Sequence, residues 1–297
     1  MPHKTELDRL ALGLMLLFCT IWGTQQVVIK LVSEGISPVW QAGLRSIGAM
    51  LIVLVWALVR RVRLFARDDT LLPGLLAGLL FAIEFAFIFV GLQHTNASRA
   101  VIFLYTAPFF VALGAIWLLP QENMRRAQWA GMGLAFLGVL ILFGEGLFSA
   151  AEGAWIGDLM VLLGGIFWAG TTLTVKATAL AKISAEKTLL YQLGVSAIVL
   201  PLLSLALGEP GVFAPSVLIW AGLVFQIIVV AAISYMGWFW LIARYPATRL
   251  STFSFLTPVM GVLAGGLLLD EALTPAVFVA LSLVALGIWV ANRRARP

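Results

Sequence analysis

Hydrophobic positions fall into ten long runs along the chain, separated by short segments that carry charges, proline and glycine. A helix needs about 20 consecutive apolar residues to cross the hydrocarbon core of a bilayer, and each run is close to that length. The pattern therefore predicts ten transmembrane helices at residues 10–31, 38–59, 71–92, 98–119, 127–144, 155–176, 188–207, 217–242, 250–269 and 275–291.

Composition supports an all-α integral membrane protein with little chain outside the membrane. Of the 297 residues, 62% are hydrophobic and 11% are charged, against about 45–50% and about 25% in soluble domains. The first apolar run lacks a small-residue cleavage site, so we expect a retained helix and not a signal peptide. The single cysteine, Cys19, excludes a disulfide within the chain.

The basic residues are distributed unevenly between the two sides that ten helices define. Sixteen of the 19 fall in segments on the side of the N-terminus; Lys30 and Arg99 fall on the other side, and Arg45 lies inside the second run. The positive-inside rule then predicts that both termini are cytoplasmic. The same distribution explains the net charge of +5 without a nucleic-acid partner.

Motifs of the first half return in the second half. The matched positions are Trp22 and Lys30 with Trp168 and Lys176, Arg99 and Pro108 with Arg249 and Pro258, Glu122 with Glu271, and Gly138 with Gly287. We predict two five-helix repeats, residues 1–150 and 151–297, that share a central cavity. Because five is odd, the repeats are inverted in the membrane, which is typical of secondary transporters that work by alternating access.

The repeated motifs resemble the EamA-type branch of the drug/metabolite transporter (DMT) superfamily. They are Trp-Gly/Ala followed by Lys after six intervening residues, and Ser/Thr-Arg followed by Pro after eight intervening residues, each present in both halves. Within that branch, the residues Glu84, Tyr105, Trp168, Ser254 and Thr257-Pro258 resemble those of YddG-like aromatic amino-acid exporters. The chain departs from that pattern at Ala107, where a Trp is expected, and the smaller side chain enlarges the pocket.

The resemblance implies a bacterial-type inner-membrane transporter that exports amino acids, aromatic ones included, and related small metabolites. It also implies a cavity between the repeats, with the fifth and tenth helices at the periphery. The partners implied are a small-molecule substrate and membrane lipid, with no cofactor, metal or obligatory protein partner. A multidrug or quaternary-ammonium exporter is the alternative within transport.

Glu84 is the strongest candidate from the residues themselves, because it lies near the middle of the third run. A charged side chain there costs roughly 2.5–3.5 kcal/mol on insertion scales, so we expect it to face a cavity. It would bind a substrate ammonium or carry a proton; a protonated or Arg45-paired structural group is the alternative. Helical spacing places Phe81 and Phe85 on its face, which suits a cation through cation–π contact.

Further candidates are polar, aromatic or proline residues at equivalent places in the two halves. Trp22 and Gln25, with Trp168 and Thr172, are expected to face inward, or to join helices by hydrogen bonds. Pro108 and Pro258 are possible hinges, lining positions or tolerated kinks. Tyr235 and Trp238 in the eighth run, and Ser254 in the ninth, are chosen by helical spacing. Arg45 either snorkels, pairs with Glu84 or clamps a substrate carboxylate.

Several function classes are excluded or disfavoured by missing motifs. The chain has no G-x-x-x-x-G-K-[ST] loop, so it is not by itself an ATP-driven pump. Its two histidines, His3 and His94, lie near loop ends and form neither an H-E-x-x-H site nor a Ser-His centre. An intramembrane enzyme remains as the alternative class, and we do not expect one because acid–base chemistry needs two convergent groups.

Overall fold

The computed structural model describes residues 6–66, 68–122, 124–148, 152–268 and 273–292. The membrane helices are α1 (Arg9–Val32), α2 (Pro38–Val59), α3 (Leu71–Gly91), α4 (Ala97–Leu104 and Ala107–Leu118), α5 (Arg126–Phe143), α6 (Ala154–Ala177), α7 (Ala185–Ala206), α8 (Val217–Arg244), α9 (Ala247–Phe253 and Leu256–Leu268) and α10 (Pro275–Asn292). These described ranges contain no strand, only one antiparallel bridge between Ile36 and Val212. The predicted all-α membrane fold is confirmed. Glu271, matched above to Glu122, lies outside the described residues.

Nine of the described helices are long and apolar enough to cross a membrane, and the two parts of α9 supply the tenth. The sequence predicts a continuous helix at 98–119 and another at 250–269, but each is broken in two. Pro108 lies in the first turn after one break and Pro258 in the first turn after the other. Because proline lacks an N–H and clashes with the preceding turn, the backbone ladder stops just before it. The breaks fall at equivalent places in the two repeats.

Helix α8 contains a wide, π-helical segment from Gln226 to Ser234 in its middle. Such segments are rare, and where they occur they often mark functional sites. The extra residue per turn rotates the remainder of the helix, so that Tyr235 and Trp238 both reach the centre of the bundle. Hydrophobic length alone does not predict this feature.

Glycines set the closest helix contacts. A Cβ atom on Gly23 of α1 would lie 2.5 Å from the backbone nitrogen of Gly261 in α9. A Cβ on Gly131 of α5 would lie 2.6 Å from the carbonyl oxygen of Gly287 in α10. Small residues at such crossings let backbones touch, which is how membrane helices gain packing energy without a hydrophobic driving force. Helices α5 and α10 thus pack against each other.

Candidate functional site

A cavity of about 610 Å³ lies between the two halves of the chain. Its wall is formed by α1, α3, α4, α6, α8 and α9, with Pro38 from α2 and Phe143 from α5. The wall extends from the middle of the bundle to the end where α1 and α3 finish, at Lys30, Ser33 and Gln93. This volume is typical of sites for small organic molecules.

Aromatic rings from three helices form one side of the wall. The Trp22 ring of α1 meets Tyr235 and Trp238 of α8 edge-on, with centroids 6.3 and 5.5 Å apart. Phe81 of α3 lies edge-on to Tyr235 and to Phe85, at 6.0 and 4.8 Å. We call these five residues the aromatic cage. Their π faces and edges can hold an aromatic ring or a cation.

Hydrogen bonds and a second ring pair fix the positions of these side chains. The Trp22 Nε1 atom donates to the Oγ of Ser234 at 2.8 Å, which joins α1 to the π-helical segment of α8. On the opposite side of the wall, Tyr105 of α4 and Trp168 of α6 are edge-on at 6.0 Å. The wall therefore has aromatic surfaces contributed by both repeats.

Glu84 is the acidic residue of the wall and Lys30 the basic one, among the described residues. The Glu84 side chain is buried, and its Oε2 atom has no hydrogen-bond partner among these residues. Lys30 is exposed and lies two residues before the end of α1. A carboxylate with an open acceptor, surrounded by aromatic rings, is suited to an ammonium group.

Arg45 of α2 lies behind the aromatic cage. It is 1% exposed, and its guanidinium carbon is 4.3 Å from the centre of the Phe85 ring. The three guanidinium nitrogens have no hydrogen-bond partner among the described residues, although Arg45 interacts electrostatically with Glu84 and Tyr235. This burial contradicts the interpretation of Arg45 as a snorkelling residue.

The structure brings together eleven of the thirteen residues selected from the sequence. These are Trp22, Gln25, Phe81, Glu84, Phe85, Tyr105, Trp168, Thr172, Tyr235, Trp238 and Pro258. Ser254 and Pro108 do not lie on the wall of this cavity. Ser254 is fully buried and its hydroxyl donates to the carbonyl oxygen of Ser251 at 2.6 Å, while Pro108 is buried where α4 resumes.

Other wall residues were not selected from the sequence. Lys30 lies at the cavity mouth with Ser33 and Gln93. Thr257 is buried beside Pro258 and lines the wall. Its place in the Thr-Pro pair of the family resemblance was the only signal that could have pointed to it.

At the opposite end of the bundle, a buried ammonium group closes the structure. Lys176 Nζ donates to the carbonyl oxygens of Ile242 and Tyr245 at 2.7 and 2.6 Å, and lies 3.3 Å from Glu122 Oε1. Glu122 Oε2 in turn accepts a hydrogen bond from the backbone of Ala247 at 2.6 Å. We call these contacts the Lys176 network. It joins α6 to the end of α4 and to the α8–α9 corner.

The N-terminus of α1 is tied to the same place. The Tyr245 hydroxyl donates to Asp8 Oδ2 at 2.9 Å, and Asp8 Oδ1 also accepts from the backbone of Ala11 as the helix cap. Five of the six helices that form the wall are thereby held together below the cavity. The cavity is open at one end and closed by polar contacts at the other.

Comparison with known proteins agrees with the architecture. The model of the EamA-like transporter family matches the chain twice, at residues 9–144 and 155–293, once in each half. A crystal structure with 20% sequence identity has the same fold, with a TM-score of 0.78, and the match covers 96% of this chain and 97% of the other.

Two curated relatives match along nearly their whole length. The "Uncharacterized transporter YoaV" of Bacillus subtilis (strain 168) is 24% identical, covering 91% of this chain and 92% of its own. The "Probable amino-acid metabolite efflux pump" of Escherichia coli (strain K12) is 27% identical, covering 93% of each.

Proposed function

The chain belongs to the EamA-like transporter family, and from this membership we propose that it exports amino acids, aromatic ones included, and related small metabolites by alternating access. The observation that carries the proposal is the cavity itself. It places one buried carboxylate, Glu84, beside an aromatic cage between the two halves of the chain. An amino acid offers an ammonium to the carboxylate and a side chain to the rings.

Alternating access is supported by the difference between the two ends of the bundle. The wall reaches the end at Lys30, whereas the Lys176 network closes the other end. In our proposal, residues 1–150 and 151–297 are the two repeats, and exchange of their conformations opens the closed end. The family model matches each half separately, which agrees with this division.

The basic residues support an orientation. In our proposal, their excess on the side of the N-terminus supports cytoplasmic termini and a cavity mouth on the outer side of the membrane. The chain would then be a multi-pass protein of the bacterial inner membrane, and the structure would represent its outward-open state. A substrate released from this state leaves the cell, as export requires.

A drug or quaternary-ammonium exporter is the second candidate. The same carboxylate and aromatic cage would also hold a permanent organic cation. The relative named an amino-acid metabolite efflux pump favours the first candidate. An intramembrane enzyme is disfavoured because the family model is that of transporters.

Flux into proteoliposomes tests the proposal. We expect uptake of radiolabelled phenylalanine or threonine above that of empty liposomes, and weaker uptake of methyl viologen. Glu84→Gln should reduce amino-acid flux at least tenfold, because a neutral amide loses the charge-assisted contact. Glu186→Gln, in the first turn of α7 and away from the wall, is the matched control. No flux of any solute in a broad panel would refute transport.

An imposed pH gradient tests the coupling in the same vesicles. If protons drive export, flux should follow the gradient and Glu84→Gln should abolish this response. Flux that is indifferent to the gradient would indicate facilitated diffusion and would leave Glu84 a binding role.

A further inference from the structure

The buried guanidinium of Arg45 lacks the partners that such a group requires. An unpaired charge inside a protein is strongly destabilising, so buried charged groups are normally paired and hydrogen-bonded. All three guanidinium nitrogens of Arg45 are without a hydrogen-bond partner among the described residues, and the ring face of Phe85 lies 4.3 Å from the guanidinium carbon. Its N–H donors are therefore available to an anion.

The neighbouring acid, Glu84, has an acceptor atom without a donor among the described residues, whereas Arg45 has donors without an acceptor there. Glu84 precedes Phe85 in α3, is buried, and has an Oε2 atom with no hydrogen-bond partner among the residues described. Glu84 and Arg45 interact electrostatically, but no hydrogen bond joins the Arg45 guanidinium to any described residue. Glu84 and Arg45 thus interact, and each has unused bonding capacity.

Phe85 connects these two groups to the cavity. Its ring lines the wall and also lies against Arg45. A turn of this one side chain would give a ligand in the cavity access to the guanidinium. Phenylalanine side chains change rotamer without breaking hydrogen bonds, so the rearrangement is local.

We infer that Arg45 and Glu84 together recognise the two charged ends of a free α-amino acid. Glu84 binds the ammonium, and Arg45 binds the carboxylate through its planar pair of N–H donors. A zwitterion satisfies both groups at once. A simple organic cation leaves the Arg45 guanidinium unpaired, so it binds more weakly. An N-blocked amino acid leaves the Glu84 carboxyl group unpaired, so it also binds more weakly. This inference rests on the proposed function and names its substrate class.

Capped analogues of one amino acid test the inference on the unaltered protein. Competition against radiolabelled phenylalanine uptake would compare phenylalanine, phenylalaninamide as the cation, and N-acetylphenylalanine as the anion. We expect phenylalanine to compete at least about tenfold better than either capped form, the factor that one charge-assisted hydrogen bond supplies. If the amide competes equally well, the inference is wrong while transport stands.

Substitution of Arg45 tests whether this residue causes the preference for phenylalanine over its capped forms. Arg45→Met should reduce competition by phenylalanine to the level of the amide, while competition by the amide changes less than about twofold. Arg45→Lys keeps a charge without the planar fork and should retain part of the preference. An equal loss for both compounds in Arg45→Met would show a structural role and overturn the inference.

Lys30→Met is the matched control, because Lys30 is the other cation of the wall. Lys30→Met should keep the preference for the zwitterion. If the preference is lost in Lys30→Met and kept in Arg45→Met, the substrate carboxylate binds Lys30, and the assignment to Arg45 is refuted. If Arg45→Met does not fold, Arg45→Lys and the analogue series still decide. If the unaltered protein moves no solute at all, the proposed function fails first, which is a distinct result.

Discussion

Lys30 and Lys176 hold equivalent positions in the two repeats but have opposite surroundings. The Lys176 ammonium is enclosed by two carbonyl oxygens and by Glu122, whereas Lys30 is exposed at the cavity mouth. In a protein built from inverted repeats, such a difference marks which end of the bundle is closed. In the proposed alternating-access cycle, the Lys176 network is the contact that must break when the closed end opens.

Lys176→Met is expected to weaken the closed end. Removing one partner of a buried ion pair costs about 3–5 kcal/mol, enough to shift a two-state equilibrium by more than about a hundredfold. A cysteine at Ser33 in a Cys19→Ala background reports the open mouth, since Ser33 lines it. Its labelling by a membrane-impermeant maleimide should slow severalfold in Lys176→Met.

Lys182→Met is the control for that experiment. Lys182 is exposed, in the short helix Ala179–Lys182 that follows α6. Its substitution should leave the labelling rate at Ser33→Cys unchanged. Equal rates in Lys176→Met and in the unaltered protein would show that the network does not hold the closed state.

Gly23→Ala is expected to destabilise the α1–α9 crossing. The new Cβ would lie 2.5 Å from the Gly261 nitrogen and 2.8 Å from the Met260 carbonyl carbon, so two backbones must separate. Such overpacking typically costs about 1–3 kcal/mol. Thermal unfolding in detergent measures the loss. Gly13→Ala in the same helix, with nothing within 4 Å of its Cβ, should be neutral or slightly stabilising.

Trp22→Phe is expected to loosen the aromatic cage. The substitution removes the 2.8 Å hydrogen bond to Ser234, worth about 1 kcal/mol, while Ser234 keeps its bond to the carbonyl oxygen of Val230. Phenylalanine affinity should fall several-fold in the competition assay. Trp155→Phe, at an exposed position at the start of α6, should leave it unchanged. The reverse order of effects would remove Trp22 from the binding site.

Asp68 is expected to make stability sensitive to acid. The hydrogen bond from the Lys187 ammonium, and then that from the Thr70 hydroxyl, lower the pKa of the Asp68 carboxyl from its ordinary value. Because this pKa is lower in the folded state, the stabilisation is present above the unfolded-state pKa of about 4. It is lost as the pH falls through the folded-state pKa.

The measurement compares thermal unfolding of Asp68→Asn with the unaltered protein across pH. Asp68→Asn should lower the midpoint at pH 7, and the gap should close in acid as the native carboxyl is protonated. Asp69→Asn is the control, because its left-handed backbone, with φ of 55°, suits asparagine equally well. A gap that persists at low pH would mean that packing, and not the ion pair, explains the loss.

The sequence predicts the helices well because crossing a membrane requires a fixed length of apolar chain. It also predicts Glu84 and its aromatic neighbours, because an acid in the middle of α3 needs a polar or aqueous environment. Spacing arguments fail where the helix is interrupted. Ser254 lies at the break in α9, where the helical phase is reset, and its hydroxyl turns back to Ser251.

Arg45 shows a second limit of sequence reasoning. One arginine in an apolar helix is compatible with a position at the interface, in a pair or in a site, and the pattern does not show which face its neighbours occupy. Its guanidinium lies against Phe85, a residue of another helix. The π-helical segment of α8 is similar, because its hydrogen bonds follow from packing and not from any local residue preference.

The glycine contact between α5 and α10 has a consequence for how the protein is made. The ribosome delivers α5 before any helix of the second half, whereas its partner α10 follows α9 in the chain. Until α10 is made, Gly287 cannot cover the surface around Gly131. Assembly of the first repeat is therefore completed by the final helix of the second. A chain that stops before α10 would leave both repeats unfinished.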